Sequence, residues 1–247
     1  MADLDDFDPA YRTAFPYHDE NLAMLAWYAA RLVGHVRRRR AKTLLSLGIG
    51  HMVVAEAILG SLVPELDRYT IVEGSARRIT ELSKGRDLAG VEVVQDFFES
   101  FAIPEPVDAI EMGFVLEHVE DPARIVARYA EMMAPGGSMI IVVPNARSLH
   151  RLVGHEAGLL EDLYQLSPAD AALGHRRYFD RDSLEALVRD AGLRVEATEG
   201  IFLKCLTTAQ LSGLALPEPV ARAFYEVGHS MPDICNAIWV DARHVSS

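Results

Sequence analysis

Three apolar runs in the first half of the chain each end in side chains suited to gripping a nucleoside. Leu44-Leu45-Ser46-Leu47 leads into Gly48-Ile49-Gly50-His51. Two glycines there permit a tight turn and let a ligand approach backbone amides where a helix starts. The next run ends TIVEGS, with Glu73 25 residues after Gly48 and Gly74 and Ser75 behind it. A carboxylate at such a strand end can accept both hydroxyl hydrogens of a ribose diol. The third run ends Asp96-Phe97-Phe98, a carboxylate for an exocyclic amine beside aromatic surface for a ring. Singly, Glu73 reads equally as a helix N-terminal carboxylate, Asp96 as a cap and the phenylalanines as core; their recurrence in order points to a pocket. A dinucleotide fingerprint GxGxxG requires glycine at position 53, where Val53 stands, and this speaks against a nicotinamide or flavin cofactor.

Proton removal near neutral pH is work for histidine. His150, His155 and His175 fall in or beside the segment 145–178 and are the candidate catalytic bases, with His118 further upstream. Arg176 and Tyr178 flank His175 and could orient a polar or anionic substrate, and Arg147 and Arg151 could face an acidic group on it. Each histidine alone reads as a hydrogen-bonded loop residue; three in one segment favour a site. No metal site is expected. His155-Glu156 begins like a zinc-protease HExxH, but Leu159 stands where the second histidine is needed, and no GxSxG nucleophile elbow occurs.

These groups need a scaffold that brings strand ends together. Leu22, Leu25, Ala26, Ala29, Leu32 and Val33 share one face of a helix expected over 19–36, with Asp19 as its N-cap. The runs TLLSL, YTIVE, VEVVQ, VDAIEM and SMIIVV then alternate with helix patterns near 52–61, 75–84 and 121–133. Such alternation predicts a parallel sheet covered on both faces. Asp121-Pro122 reads as a cap and first helical residue, and Pro135-Gly136-Gly137 as a turn into a strand over 138–143. The rhythm breaks at 145–178, read as a helical lid or substrate-binding insertion after the fifth strand. Beyond it come a helix over 181–191, a strand near 193–203, a helix around 217–229 and a last strand near 237–242.

Composition bounds the partners. A chain of 247 residues, 50% hydrophobic, suffices for one domain with an insertion. Lys+Arg 24 against Asp+Glu 36 gives a net charge of −12, which argues against nucleic acid and for a small-molecule substrate. Two cysteines in no metal or redox spacing, an acidic N-terminus without signal-peptide order, and no membrane-length apolar run lead to the expectation of a cytoplasmic protein without a membrane partner. A homodimer is left open, because an exposed apolar lid serves equally as gate or interface.

From about Thr43 to Asn145 the motifs, in order, resemble the class I S-adenosylmethionine-dependent methyltransferases, small-molecule branch: LLSLGIGHM, TIVEGS, VVQDFF, VDAIEMGFVLEHVEDP and MMAPGGSMIIVVPN. GFVLEHVEDP is the most specific. GHRRYFDRDSLEALVRDAGL resembles ubiquinone-type O-methyltransferases and sugar N-methyltransferases, and VPNARSLHRLVGHEAGLL a bacterial subgroup of unknown substrate. The resemblance implies one α/β, Rossmann-like, doubly wound domain over 1–247. Its sheet would have seven strands, the last antiparallel and inserted beside the fifth, with an N-terminal helical cap over 1–40. It also implies S-adenosylmethionine as cofactor and in-line methyl transfer to an oxygen or nitrogen of a small metabolite, as in a biosynthetic transferase. Gly48, Gly50 and Ser46 would hold the aminoacyl part, Glu73 with Gly74 and Ser75 the ribose, and Asp96 and Phe97 the adenine. Met112, Gly113, Glu117 and His118 would line the cofactor side, Tyr17 would lie near the methyl, and Tyr11 would touch substrate; a hydrophobic staple for the first helix is the other reading of these tyrosines. The chain departs from the pattern at Ser46, where most members are acidic, and at Met52, where many have glycine. Those departures motivate the alternative of a non-catalytic binding or regulatory protein.

Overall fold

The computed structural model describes residues 13–245, in which strands and helices alternate as the apolar rhythm requires. In chain order they are α1 (His18–Arg39), β1 (Thr43–Leu47), α2 (Val53–Ser61), β2 (Arg68–Glu73), α3 (Ala76–Ser83), β3 (Val91–Gln95), β4 (Val107–Gly113), α4 (Pro122–Ala130) and β5 (Met133–Pro144). There follow α5 (Leu149–Glu156), α6 (Pro168–Leu173), α7 (Arg181–Asp190), β6 (Leu193–Ile201), α8 (Thr208–Gly213), α9 (Glu218–Gly228) and β7 (Ala237–His244). The strands form one seven-stranded sheet in the order β3-β2-β1-β4-β5-β7-β6. Neighbours from β3 to β5 pair in parallel, while β7 runs antiparallel to both β5 and β6. This is the topology expected above, including the inserted last strand.

Helices bury both faces of the sheet, so the central strands are apolar on both sides. Leu45, Ile110, Met112, Ile141 and Val240 pack with Tyr129 of α4 and Leu184 and Val188 of α7. Leu44, Ile71, Ala109, Ile140 and Trp239 pack on the opposite face with Tyr28 and Leu32 of α1, Ile58 of α2 and Leu82 of α3. Asp121 caps α4 by accepting from Arg124 N, with Pro122 in the first turn, as its sequence predicts. A Ser167–Asp170 capping box starts α6 and an Asp180–Ser183 box starts α7.

Three details differ from expectation. α1 begins at His18 with Tyr17 in the N-cap position and no side-chain cap, so Asp19 sits inside the first turn, where its charge meets the positive end of the helix dipole. Pro135-Gly136-Gly137 lies within β5, at the irregularity where pairing with β4 moves from Val107↔Met133 to Ala109↔Ser138. The segment 145–178 carries two short helices, α5 and α6, in keeping with its helical reading, and the third difference is α8, a further helix beyond β6. What positions a ligand is the strand order: it reverses between β1 and β4, opening a crevice at the carboxyl ends of the parallel strands.

Candidate cofactor and active site

β1 delivers the chain into that crevice, and the turn after it is built from left-handed residues, Gly48 at φ 84°, Gly50 at φ 54° and Met52 at φ 34°. Glycine adopts such angles freely, whereas methionine pays roughly 1–2 kcal/mol for them. Glu73, at the end of β2 and 8% exposed, accepts from Ile49 N at 2.9 Å and from Ser75 N at 2.8 Å. One carboxylate thus ties the glycine turn to the start of α3, where Ser75 caps the helix through Arg78 N. Burial raises the Glu73 pKa, and the backbone amides oppose that rise. After β3, Asp96 accepts from Phe97 N at 2.8 Å and Ser100 Oγ at 2.6 Å. Phe97 is 41% exposed, and with Phe98 it borders the same cavity.

The floor holds a carboxylate that the motifs did not single out. Glu111 of β4 pairs in register with Ser46 of β1. It is 4% exposed and accepts from Tyr28 OH at 2.6 Å and from Gly113 N at 2.8 Å. Tyr69 OH donates to Ser46 Oγ at 3.2 Å, closing a buried polar group around it. Burial pushes the Glu111 carboxyl up to about 7, against the stabilising bonds from Tyr28, Gly113 and Ser46. A Cβ at Gly113 would fall 2.5 Å from Tyr28 OH and 2.7 Å from Glu111 Oε1, so only glycine admits this approach. Strand alternation sends the intervening Met112 the other way, fully buried in the core rather than into the cavity, which corrects its assignment to the cofactor side.

The opposite wall comes from the loop after β4 and the segment 167–178. Glu117 has no exposed surface, and neither of its carboxylate oxygens meets a hydrogen-bond donor. His118 and His175 stand beside it with ring centroids 4.9 Å apart. One ligand atom from each of Glu117, His118 and His175 lies within 4.8 Å of the others. Burial raises Glu117 to about 7 and lowers His118 to about 3, the latter helped by His175. Asp170 sits behind His175, its Oδ1 3.3 Å from Nδ1, and is itself held by Ser167 N at 2.7 Å and Tyr178 OH at 2.9 Å. Arg177 clamps the two loops together through the carbonyls of Leu116, Val119 and Glu120.

The glycine turn, Glu73, Asp96, Glu111 and the Glu117–His118–His175 cluster all border one cavity of about 1070 Å³. Of the residues singled out by sequence, Tyr17, Ser46, Gly48, Gly50, Glu73, Gly74, Ser75, Asp96, Phe97, Gly113, His118, His150, His175, Arg176 and Tyr178 line it. His150 is held neutral there, its pKa lowered to about 3 by burial, then by Lys204 and Arg151. Tyr178 stacks under Arg151, whose guanidinium lies 4.1 Å from the ring centroid and donates to the carbonyls of Leu163 and Gln165. His155 is not brought to the cavity: it is exposed and its Nδ1 lies 2.9 Å from Leu160 O. Arg147 is likewise exposed and outside the lining. Tyr11 lies outside the described residues. Sequence reasoning missed Glu111, Asp170 and Lys204. Glu111 was legible as a charge at the end of an otherwise apolar strand, and Asp170 as the fourth residue of a capping box.

A switch-point crevice with a glycine turn, a strand-end carboxylate and an aromatic-flanked carboxylate defines a nucleoside-binding α/β protein. The methyltransferase-domain family matches residues 18–198. The chain belongs to this family and is an S-adenosylmethionine-dependent methyltransferase. Over 190 residues it is 28% identical to the ubiquinone biosynthesis O-methyltransferase of Burkholderia pseudomallei (strain 1710b), covering 75% of this chain and 77% of that one. Among solved structures it is similar to the mitomycin 7-O-methyltransferase, with a TM-score of 0.58 at 21% identity over 97% of this chain. The chain spans 60% of the length of that protein. It is also similar to the N-methyltransferase NodS of Bradyrhizobium japonicum in complex with S-adenosyl-L-homocysteine, with a TM-score of 0.55 at 13% identity, covering 95% of this chain and 90% of that one. No described helix is long and apolar enough to cross a membrane.

Proposed function

We propose that the chain methylates a hydroxyl oxygen of a small molecule, with cofactor and acceptor together in the crevice cavity. The observation that carries this reading is that Gly48, Glu73, Asp96 and Glu111, from four successive parallel strands, front one cavity. Its volume of about 1070 Å³ lies just above the range of about 300–1,000 Å³ for single-ligand pockets, which supports room for two ligands. Asp96 and Phe97 would take the adenine and Glu73 the ribose. Gly50 of the glycine turn would face the methionine carboxylate, since Gly48 N and Ile49 N already donate to Val72 O and to Glu73, and Glu111 would face its ammonium. The relatives named for O-methylation and the net charge of −12 support a small hydroxylated acceptor over nucleic acid. Two free cysteines support a reducing, cytoplasmic setting.

Methyl transfer from a sulfonium needs alignment more than acid–base help. The acceptor oxygen would attack the methyl in line with the departing sulfur; the new C–O bond takes the oxygen's electron pair and the C–S pair returns to sulfur. The hydroxyl proton must leave, and Glu117, His118 and His175 would form the polar cluster facing the acceptor, a different role for Glu117 and His118 from the cofactor-side one that the motif implies. Segment 145–178 would be the substrate-facing wall, through His150, Arg176 and Tyr178. Exposed Val153 and Leu159 on it are the surface through which two copies would pair, a question for sedimentation. The test is calorimetric titration with S-adenosylmethionine, followed by mass spectrometry of products from a panel of small hydroxylated aromatics. Wild-type protein that gives no heat of binding overturns the reading.

A further inference from the structure

Glu117 presents an energetic problem. A carboxylate with no exposed surface and no donor to either oxygen has lost its hydration without replacement. Arg177 is spent on the carbonyls of Leu116, Val119 and Glu120. The groups that do face Glu117 are two imidazoles. From these placements we propose that Glu117, His118 and His175 bind a divalent transition-metal ion at the acceptor end of the cavity.

The donor set is two histidines and one carboxylate, which suits zinc, cobalt, manganese or iron better than magnesium or calcium. The ligand atoms lie within 4.8 Å of one another, against roughly 3–3.5 Å between donors around an ion with bonds of about 2.0–2.2 Å. Small side-chain rotations close that difference. Asp170 beside His175 Nδ1 completes the arrangement: a carboxylate that takes the proton on one ring nitrogen orients the other toward the metal. Asp170 is in turn fixed by Ser167 and Tyr178, so the outer support is built into the capping box of α6.

Three protein ligands leave coordination positions open toward the cavity. An acceptor hydroxyl bound there loses its proton more readily, because the cation stabilises the alkoxide or phenoxide. The proton leaves to solvent or buffer, and the metal-bound oxygen attacks the methyl with no change in metal oxidation state. The inference rests on the proposed O-methylation for its chemical purpose, but the site itself is testable without turnover.

The experiment uses the full chain, stripped with a chelator and dialysed, titrated with Co²⁺ and separately with Zn²⁺, with S-adenosylmethionine titrations run in parallel. The expected result is one Co²⁺ per chain with visible ligand-field absorption and a rise in Tm on adding Zn²⁺. Glu117→Gln and His175→Gln should weaken Co²⁺ at least 10-fold, whereas His155→Gln, which lies outside the cluster, should not. Glu117→Gln removes a buried charge, so its metal-free Tm should equal or exceed that of the wild type, which separates lost binding from failed folding. Wild-type protein that binds S-adenosylmethionine but no Co²⁺ or Zn²⁺ overturns the metal site and leaves the methyltransferase reading intact. Full turnover by stripped wild type, lost in Glu117→Gln and His175→Gln, overturns it in favour of direct proton acceptance by that pair.

Discussion

Replacing Glu111 by glutamine should weaken S-adenosylmethionine binding while stabilising the ligand-free protein. The substitution keeps shape and most bonds: the amide oxygen can still accept from Tyr28 OH and Gly113 N, and the new NH₂ can face Ser46 Oγ. What disappears is the charge. A hydrogen bond between a carboxylate and an ammonium is worth about 1.5–3 kcal/mol, so the variant should bind about 10–100-fold more weakly. The opposite effect follows from burial, which lifts the carboxyl from the ordinary 4.5 to about 7 in the folded chain. Because the folded value lies above the ordinary one, stability from the protonated form is full below pH 4.5 and lost as pH rises through about 7. At pH 8 the wild type therefore carries a penalty of roughly 3 kcal/mol that the glutamine variant lacks, while at pH 4.5 the two should match.

Histidines pushed the other way, His35 and His51 to about 4 and His118 and His150 to about 3, destabilise the fold as pH falls below their ordinary 6.5. They are common to both proteins and cancel in the difference. Ligand binding should show the same group: a cation requires the ionised carboxyl, so wild-type affinity should fall about tenfold from pH 8 to pH 6, and the glutamine variant should lack this component. Urea unfolding of the ligand-free pair across this range, with calorimetry at each pH, measures both effects. Equal affinity for wild type and variant at pH 8 would refute the ammonium assignment; an unchanged stability difference from pH 5 to 8 would refute the buried-charge argument.

Met52→Gly should leave folding stability unchanged or raise it by up to about 1 kcal/mol in urea, since it relieves a left-handed residue while giving up half-buried packing; a loss above 1 kcal/mol counts against strain at this turn. Glu73→Ala should cost about 1–3 kcal/mol by leaving Ile49 N and Ser75 N without an acceptor, and should abolish the calorimetric signal with S-adenosylmethionine. Asp96→Ala should weaken S-adenosylmethionine and S-adenosylhomocysteine by the same factor, because an adenine contact is blind to the methyl; unequal losses would move Asp96 away from the ring. His155→Gln should keep methyl transfer within about twofold, consistent with an exposed ring bonded to Leu160 O, whereas a tenfold loss would return it to the site.

TLLSL was legible because burial on both faces leaves it with little polar interruption, and VEVVQ, a half-exposed edge strand, because its valines still make a short β-branched run; both begin and end where the sequence predicts. Short helices were not. α5, α6 and α8 have eight, six and six residues, too few turns for an apolar period to emerge from a mixed segment. The Pro135-Gly136-Gly137 turn reads correctly as an irregularity, but that it falls inside a strand depends on how β4 runs beside it. Of the cavity residues, those at strand ends were visible because strand order alone brings them together. Met112 was misread because a motif supplies position and not the face a strand residue takes.

Ser46 shows the same limit at its sharpest. Along the chain it reads as the loss of an acid beside the glycine turn, and that loss motivated a non-catalytic alternative. Across the sheet, however, position 46 pairs with Glu111, so a carboxylate occupies the neighbouring strand at the same level. Serine is small enough to bond to it, and Tyr28 and Tyr69 complete the group. A second acid at 46 would put two buried carboxylates side by side, each opposing the other's ionisation. A small neutral residue at 46 is therefore what an acid at 111 requires. The negative charge is moved by one strand rather than lost, and that exchange is invisible until register is known, because 65 residues separate the two positions in the chain. If so, Ser46→Asp should hinder binding in the wild type and restore it in the Glu111→Gln background, a reversal of sign in a double-mutant cycle that independent sites cannot produce.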